Sequence, residues 1–403
     1  MRLAGLTTRG RCLLAAGAAT AVSAFVLDER DLLRVGAFVA LLPLLALLVS
    51  VFTRRSVRGS REVSPERVPA GGEVSVGITL PGGPLVGALR LVDAVPDASG
   101  PQPSAPPRFT VHRLSPRAGA QLSYPLIPAQ RGVHRIGPLT GSSTDPLGLA
   151  EFERELAPAS LLVALPRVIG LRGMPQALGS GEGTPGAALA HQGQGRSDVL
   201  VRQYRRGDEL RRVHWRSTAR HDELMVRLEE RPWRTGTTVL LDRRDAAHRG
   251  HGPDSSLEVA ISLAASICTH LGGRGEVITL VTEDGAELGT ASGDIDPLLD
   301  TLAALRPVAR TDLAGPELAG DVLAVLGALG AGDLESLIAR QPAGGHAVLL
   351  DVAGWEPAGR GPDVAAAATA LRRAGWRVAV ARAGVAPDRA WDELVAQSIG
   401  STS

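Results

Sequence analysis

At 403 residues the chain exceeds what one hydrophobic core usually serves, and two or three domains are expected. Hydrophobic residues make up 44% and aromatics 3%, so the cores are built from Leu, Val and Ala. The 43 basic and 42 acidic side chains nearly cancel, which excludes a chain-wide nucleic-acid footprint, and two cysteines, Cys12 and Cys268, exclude a disulfide framework or a cysteine metal cluster.

Two apolar stretches come first. Cys12 to Leu27 is uncharged over sixteen residues and Val35 to Phe52 over eighteen, against the roughly 20 helical residues that cross a bilayer. The first is short and must borrow flanking residues, while the second extends back to Leu32 if Arg34 snorkels toward the interface. Asp28, Glu29, Arg30 and Asp31 between them form a turn too short for a domain and too charged for lipid. Residues 1–55 therefore read as a transmembrane helical hairpin. A secretory leader would also show Arg2, Arg9 and Arg11 ahead of an apolar run, but the immediate charged turn and second run fit a hairpin better. Arginines flank both open ends, Arg2, Arg9 and Arg11 on one side and Arg54, Arg55, Arg58 and Arg61 on the other. The expected location is thus the cell membrane, spanned twice, with both termini and the soluble domains cytoplasmic.

From 56 to 170 the pattern turns to short extended runs separated by Pro/Gly turns. Val74–Leu80, Ala88–Val95, Arg108–Leu114, Gln121–Pro128 and Gly132–Thr140 read as strands of a small all-β, sandwich-like domain. Thr144 to Gly148 reads as a tight turn, because Asp145 accepts from nearby backbone while Pro146 and Gly148 supply restricted and permissive positions. Residues 171–198 contain seven glycines and little apolar pattern. Such a connector lacks the burial to offset its ordering entropy, and it lacks the Lys and Ser/Thr of a phosphate loop.

Residues 199–236 hold the densest signal. Between Arg202 and Arg234 stand ten arginines and six acidic residues with Tyr204, Trp215 and Trp233 interleaved. Asp208 is a candidate N-cap for a helix carrying Arg211, Arg212, Trp215 and Arg216, and Leu224–Glu230 reads as a strand. Arginine holds carboxylates and carbonyls in a planar fork and stacks on aromatic rings, so this composition fits protein docking or an interdomain lock. Nucleic acid is opposed by the six acids, with Glu209, Asp222, Glu223, Glu229 and Glu230 suited to pairing the arginines within a folded module. His214, Ser217 and Asp208 can be arranged on paper as base, nucleophile and orienting acid, yet no nucleophile elbow or His-Glu-x-x-His motif accompanies them. An enzyme of unknown substrate class using the His214 region, and nucleic-acid binding through the arginine-rich tract, are the alternatives to a docking scaffold.

From 237 to 403 near-continuous apolar strands alternate with helices, which predicts an α/β domain with a mostly parallel sheet buried on both faces. Thr237–Asp242, Glu276–Val281, His346–Asp351 and Trp376–Ala381 read as strands. Ser255–Leu271, Leu298–Leu305, Leu318–Ala339, Asp363–Ala374 and Pro387–Gln397 read as helices. The carboxyl edge of such a sheet is where a ligand or partner site forms.

The central tract resembles the core of the DUF58 family through Tyr204, Arg205, Gly207, Asp208, Arg211, Arg212, His214, Trp215, Ser217, Ala219, Arg220 and Glu223, with Val213 at a usual Ile and His221-Asp222 replacing a usual Gly. Arg131-Gly132 through Gly137-Pro138, and Asp145 to Leu149, resemble a second recurring stretch of that family. The resemblance implies a membrane-anchored protein with a von Willebrand factor A-like α/β domain, working with a MoxR-like AAA+ ATPase or its client in protein assembly or maturation. It also implies a place where such domains often hold a divalent cation, through an Asp followed by serines two and four residues later. Here Asp242 is followed by Arg243, Arg244, Asp245 and Ala246, so magnesium is not expected and Asp242 is expected to pair a local arginine or cap a turn. No cofactor is expected. The partners expected are the lipid bilayer and that ATPase or client, and the sequence leaves the oligomeric state open. The expected partner-binding or interdomain residues are Arg202, Tyr204, Arg205, Gly207, Asp208, Arg211, Arg212, His214, Trp215, Arg216, Arg220, Glu223 and Trp233.

Overall fold

The computed structural model describes residues 5–83, 88–95, 106–112, 114–115, 117–175, 178, 201–203, 225–227, 236–356 and 362–399. The chain divides into two compact units. One holds residues 1–167 with 251–254 and 299–305, the other 168–250, 255–298 and 306–403.

The first unit opens with α1 (Thr8–Leu27) and α2 (Arg30–Ser56), both long and apolar enough to cross a membrane. Helix α1 begins four residues before the uncharged stretch, and the side-chain oxygen of Thr7 caps it by accepting from the Gly10 amide. The turn contracts to Asp28 and Glu29, with Asp28 left-handed at φ 55°. Glycines bring the helices together. A Cβ on Gly17 would lie 2.6 Å from the Ala40 nitrogen, and one on Gly36 2.7 Å from that of Ala21. These small residues therefore serve packing within the hairpin. Phe25, Phe38 and Phe52 point outward, each more than 60% exposed.

Ten described strands follow: β1 (Ser60–Ser64), β2 (Arg67–Pro69), β3 (Val74–Leu80), β4 (Leu89–Asp93), β5 (Arg108–Val111), β6 (Ala120–Leu126), β7 (Gly132–Ile136), β8 (Leu139–Thr144), β9 (Glu151–Ala157) and β10 (Ser160–Leu165). They form three small sheets, ordered β1-β3-β6, β2-β10-β7 and β5-β4-β8-β9. Val74, Val76, Ile78 and Leu80 alternate inward along β3, as a strand with one buried face requires. The single run expected over Gly132–Thr140 is two strands in different sheets, interrupted at Gly137, whose φ is +101°. Within this core Arg61 on β1 pairs with Asp93 on β4 at 2.7 Å, and the Tyr124 hydroxyl on β6 donates to Asp93 at 2.7 Å.

In the second unit, β11 (Val201–Gln203) and β12 (Met225–Arg227) pair antiparallel. The main sheet has the order β15-β14-β13-β16-β17-β18, from β13 (Thr237–Leu241), β14 (Val277–Thr282), β15 (Glu287–Ser292), β16 (Asp321–Leu326), β17 (His346–Asp351) and β18 (Arg377–Arg382). All neighbours are parallel except β14 and β15. The helices of this part of the chain are α3 (Ser256–Gly272), α4 (Asp296–Ala304), α5 (Ala331–Arg340), α6 (Val364–Arg373) and α7 (Asp388–Ile399), α4 being counted with the first unit from Leu299 onward. Helix α3 lies against β13, β14 and β16, while α6 and α7 pack on β17 and β18.

Two expectations are corrected here. The helix expected over Leu318–Ala339 is a central strand followed by the shorter α5, because Asp321–Leu326 pairs on both sides and is bounded by Gly320 and Gly327. A short apolar run carries no period that separates strand from helix. Leu171 to Gly173 and Leu178, which open the segment expected to be a glycine-rich connector, are tied down. The Trp391 indole N–H donates 2.8 Å to the Arg172 carbonyl, His270 bonds the Gly173 carbonyl at 2.7 Å, and Leu171 and Leu178 are buried. Two leucines and two side-chain donors thus hold residues that composition alone leaves loose.

Candidate functional site: the switch-point crevice

Strand β13 leads outward to β14 and β15 on one side, after which the chain crosses to β16, β17 and β18 on the other. The order reverses between β13 and β16, and a doubly wound sheet opens a crevice there, outside the carboxyl ends of its strands. Asp242 directly follows β13 at this point, fully buried, with its amide donating 3.0 Å to the Val325 carbonyl of β16.

The guanidinium of Arg244 fills this crevice. Its Nε donates to Asp242 Oδ1 at 2.9 Å and Nη2 to Asp242 Oδ2 at 2.9 Å, a bidentate fork. Nη1 donates to Asp333 Oδ1 at 2.9 Å and to the Thr311 carbonyl at 3.0 Å, and Nη2 also reaches the Ala328 carbonyl at 3.3 Å. All five N–H donors of the side chain are used. Burial opposes the charge, yet hydrogen bonds and charge from Asp242, then from Asp333, hold the Arg244 pKa above its usual value. Asp333, in the first turn of α5, also accepts from the amides of Leu313 and Gly330, so one carboxylate ties two loops to the helix start.

Around this pair the loops are fastened. His248 Nε2 lies 2.8 Å from the Asp242 carbonyl, which only accepts, so Nε2 carries the proton and Nδ1 accepts from the Ser256 hydroxyl at 3.1 Å. Burial lowers the His248 pKa and keeps the ring neutral. On the other side the Arg243 amide donates to buried Glu283 at 3.3 Å, and its Nε stands 3.4 Å from Glu283 Oε1, an ion-pair distance without hydrogen-bond geometry. Arg340 Nη1 donates 2.7 Å to the Glu283 carbonyl. At the rim Arg310, 41% exposed, bonds Asp284 at 3.1 Å, and a hydrogen bond from Thr282 is the first cause of the lowered Asp284 pKa.

The residues present do not fit a divalent cation. Positions 243, 244 and 246 carry no side-chain oxygen, and Arg244 places its own positive charge on the carboxylates such an ion would take. Asp242 does pair with a local arginine. Neither Asp242 nor Asp333 is an unpartnered base, so the arrangement holds loops in register and presents Arg243 and Arg310 at its rim.

Arg202 lies on β11. Tyr204, Arg205, Gly207, Asp208, Arg211, Arg212, His214, Trp215, Arg216, Arg220, Glu223 and Trp233 fall outside the described residues, as does the expected helix from Asp208. Of the expected strand over Leu224–Glu230, Met225–Arg227 is described. Sequence reading missed Asp333, Glu283, His248 and Arg340. Asp333 carried a usable signal, an acid three residues after Gly330 at a helix start, which the overlong helix expected there obscured.

Residues 200–323 match the family model described as "Protein of unknown function DUF58". A DUF58-like domain occupies part of this chain. No curated protein matches it. Among solved structures, a superoxide reductase (neelaredoxin) from Ignicoccus hospitalis is similar over 28% of this chain and 85% of its own, at 14% identity and a TM-score of 0.18, a likeness too slight to bear on fold or function. The DUF58-like span joins the arginine-rich tract to the Asp242–Arg244 crevice and is consistent with a protein-interaction role.

Proposed function

We propose that this chain is a membrane-anchored docking scaffold. Its two apolar helices span the cell membrane with both ends in the cytoplasm. Its β sheets form a sandwich-like module, and its von Willebrand factor A-like α/β domain works with the 199–236 tract to hold a MoxR-like AAA+ ATPase or that ATPase's client. The observation that carries this reading is the filled crevice. At the place where a doubly wound sheet receives a small ligand, five donors of Arg244 are matched to the protein's own acceptors, which leaves a rigid charged edge suited to another protein. Buried Trp and Arg anchors dominate interface energy, and the tract supplies both in Arg212 and Trp215.

Photo-crosslinkers at Arg206, Arg212 and Arg216 in cells test this. Capture of an AAA+ ATPase from these positions, with unchanged melting of the purified variants, is the expected result. Robust expression with no specific capture from any of them, or loss of folding in every variant, overturns it. A reporter fused after Arg58 and active only outside the cytoplasm overturns the orientation.

A further inference from the structure

The turn after β8 meets the start of α1 and the uncharged stretch of α2. Leu149 and Ala150 are buried in one cluster with Leu6 and Ala46, against Leu13 and Leu47. Ala46 stands eight residues before Arg54, about 12 Å along the axis at 1.5 Å per residue. Gly10 is fully covered, because a Cβ there would collide with the Leu149 carbonyl. The turn therefore lies level with Arg9 and Arg11 at the start of α1 and on the apolar side of Arg54 and Arg55 at the end of α2.

Backbone that approaches the hydrocarbon loses water as a partner and has to satisfy its own polar groups. This turn does so for every donor from 145 to 151. The Asp145 amide donates to the Ala150 carbonyl at 3.0 Å, Pro146 has no N–H, and the Gly148 amide donates to the Asp145 carbonyl at 2.9 Å. The Asp145 carboxylate takes the amides of Leu147, Leu149 and Ala150 at 2.9, 2.7 and 2.5 Å. The Glu151 amide donates 2.8 Å to the Gly5 carbonyl, and Thr7 donates its amide to the Leu149 carbonyl at 3.0 Å and its hydroxyl to the Gly148 carbonyl at 2.6 Å. At the tip, Pro146 is exposed and Leu147 is 64% exposed. Arg9, also exposed, lies beside Gly148.

We propose that the Asp145–Ala150 turn sits in the headgroup–acyl boundary of the bilayer, with Leu147 dipping into lipid, so that the β domain contacts the membrane directly rather than hanging from the hairpin by a tether. The inference rests on the reading that α1 and α2 span a bilayer. A lone exposed leucine on a soluble surface is ordinary, and Leu161 on β10, 62% exposed, is such a case. What separates Leu147 is continuity with the lipid-facing helices and a turn whose donors need no water.

The test uses the full chain in vesicles of phosphatidylcholine with a minority of phosphatidylglycerol, in a Cys12→Ala background. The Cys268 thiol, buried and pushed up to about 12 by desolvation, stays unlabelled. Spin labels are placed at Leu147→Cys, Leu161→Cys and Phe38→Cys, with Pro146→Cys as a second tip position, and collision with oxygen is compared with collision with a water-soluble nickel complex. The expected result is an oxygen-to-nickel ratio at 147 or 146 several-fold above that at 161 and approaching that at 38. A lipid-like value at 38 with water-like values at both 146 and 147 overturns the seated turn alone. Water-like values at 38 as well overturn the spanning hairpin and this inference with it.

Discussion

Among the described residues, each unit holds a buried arginine on a fully buried aspartate, and the two pairs are built differently. In the β domain Arg61 and Asp93 join strands of two sheets from 32 positions apart. Arg61 also reaches the Pro158 carbonyl and Ser160, but its buried Nε has no partner, and Asp93 shares its charge with the Tyr124 hydroxyl. Burial, then the bond to Asp93, raises the Tyr124 pKa above its usual value. In the α/β domain Arg244 and Asp242 are two residues apart, and the arginine is satisfied at every donor. The first pair is a cross-link inside a core. The second is a plug in a crevice that topology opens, gathering the loops at 311 and 328 and the helix start at 333 onto one strand end. A buried charge pair is thus read by what else its donors reach, not by its own distance.

Removing the plug breaks the comparison most severely. Arg244→Ala strips Asp242 of both its ionic bonds and leaves Asp333 and two carbonyls short of a donor, for an expected loss of about 3–5 kcal/mol. Denaturant unfolding of the detergent-solubilised chain measures it, and a loss under ~1 kcal/mol would show that the loops hold without the plug. Arg61→Ala is expected to cost less, about 2–3 kcal/mol, because Tyr124 still donates to Asp93. Should Arg61→Ala prove the costlier of the two, the ranking by satisfied donors is wrong.

Gly137→Ala sharpens the β-domain side. Its Cβ would fall on the Arg61 guanidinium, at a φ of +101° that L side chains rarely adopt. A loss of roughly 1–3 kcal/mol in melting is expected. In the Arg61→Ala background the same change should cost clearly less, and equal costs in both backgrounds would assign the effect to the backbone alone.

The smallest effect is a pH slope. His248 is held neutral with a pKa below 6.5, chiefly by burial, against opposing contributions from Asp242 and further lowering by Arg244 and Arg249. Below pH 6.5 the unfolded chain takes up a proton that the native chain refuses, so stability is complete above that value and declines as pH falls toward the native pKa. His248→Gln, which keeps a donor for the Asp242 carbonyl, should flatten the melting profile between about pH 7 and 5. An unchanged slope would place the titration elsewhere, with partly buried His270, also lowered by desolvation, the next to replace.

Much of the chain was legible from local pattern. The two apolar helices, Val74–Leu80 and His346–Asp351 came out at or near their observed limits because length and burial period are local properties. The Asp145 turn was legible for the same reason, since its donors and acceptor lie within six residues. Asp242 meeting a neighbouring arginine belonged to this class too. Asp321–Leu326 did not, because a strand with partners on both sides differs from a buried helical turn only through those partners. Neither did Asp333 closing on Arg244 across 89 positions, nor Arg61 on Asp93, nor Arg172 held by the Trp391 indole. The amino-acid sequence by itself determined which segments are apolar, which turn, and which charges stand side by side. The tertiary structure alone decided where the sheet order reverses, which charge fills the crevice there, and that the β domain's turn reaches the apolar part of the hairpin, because each depends on distant backbone whose position no local period encodes.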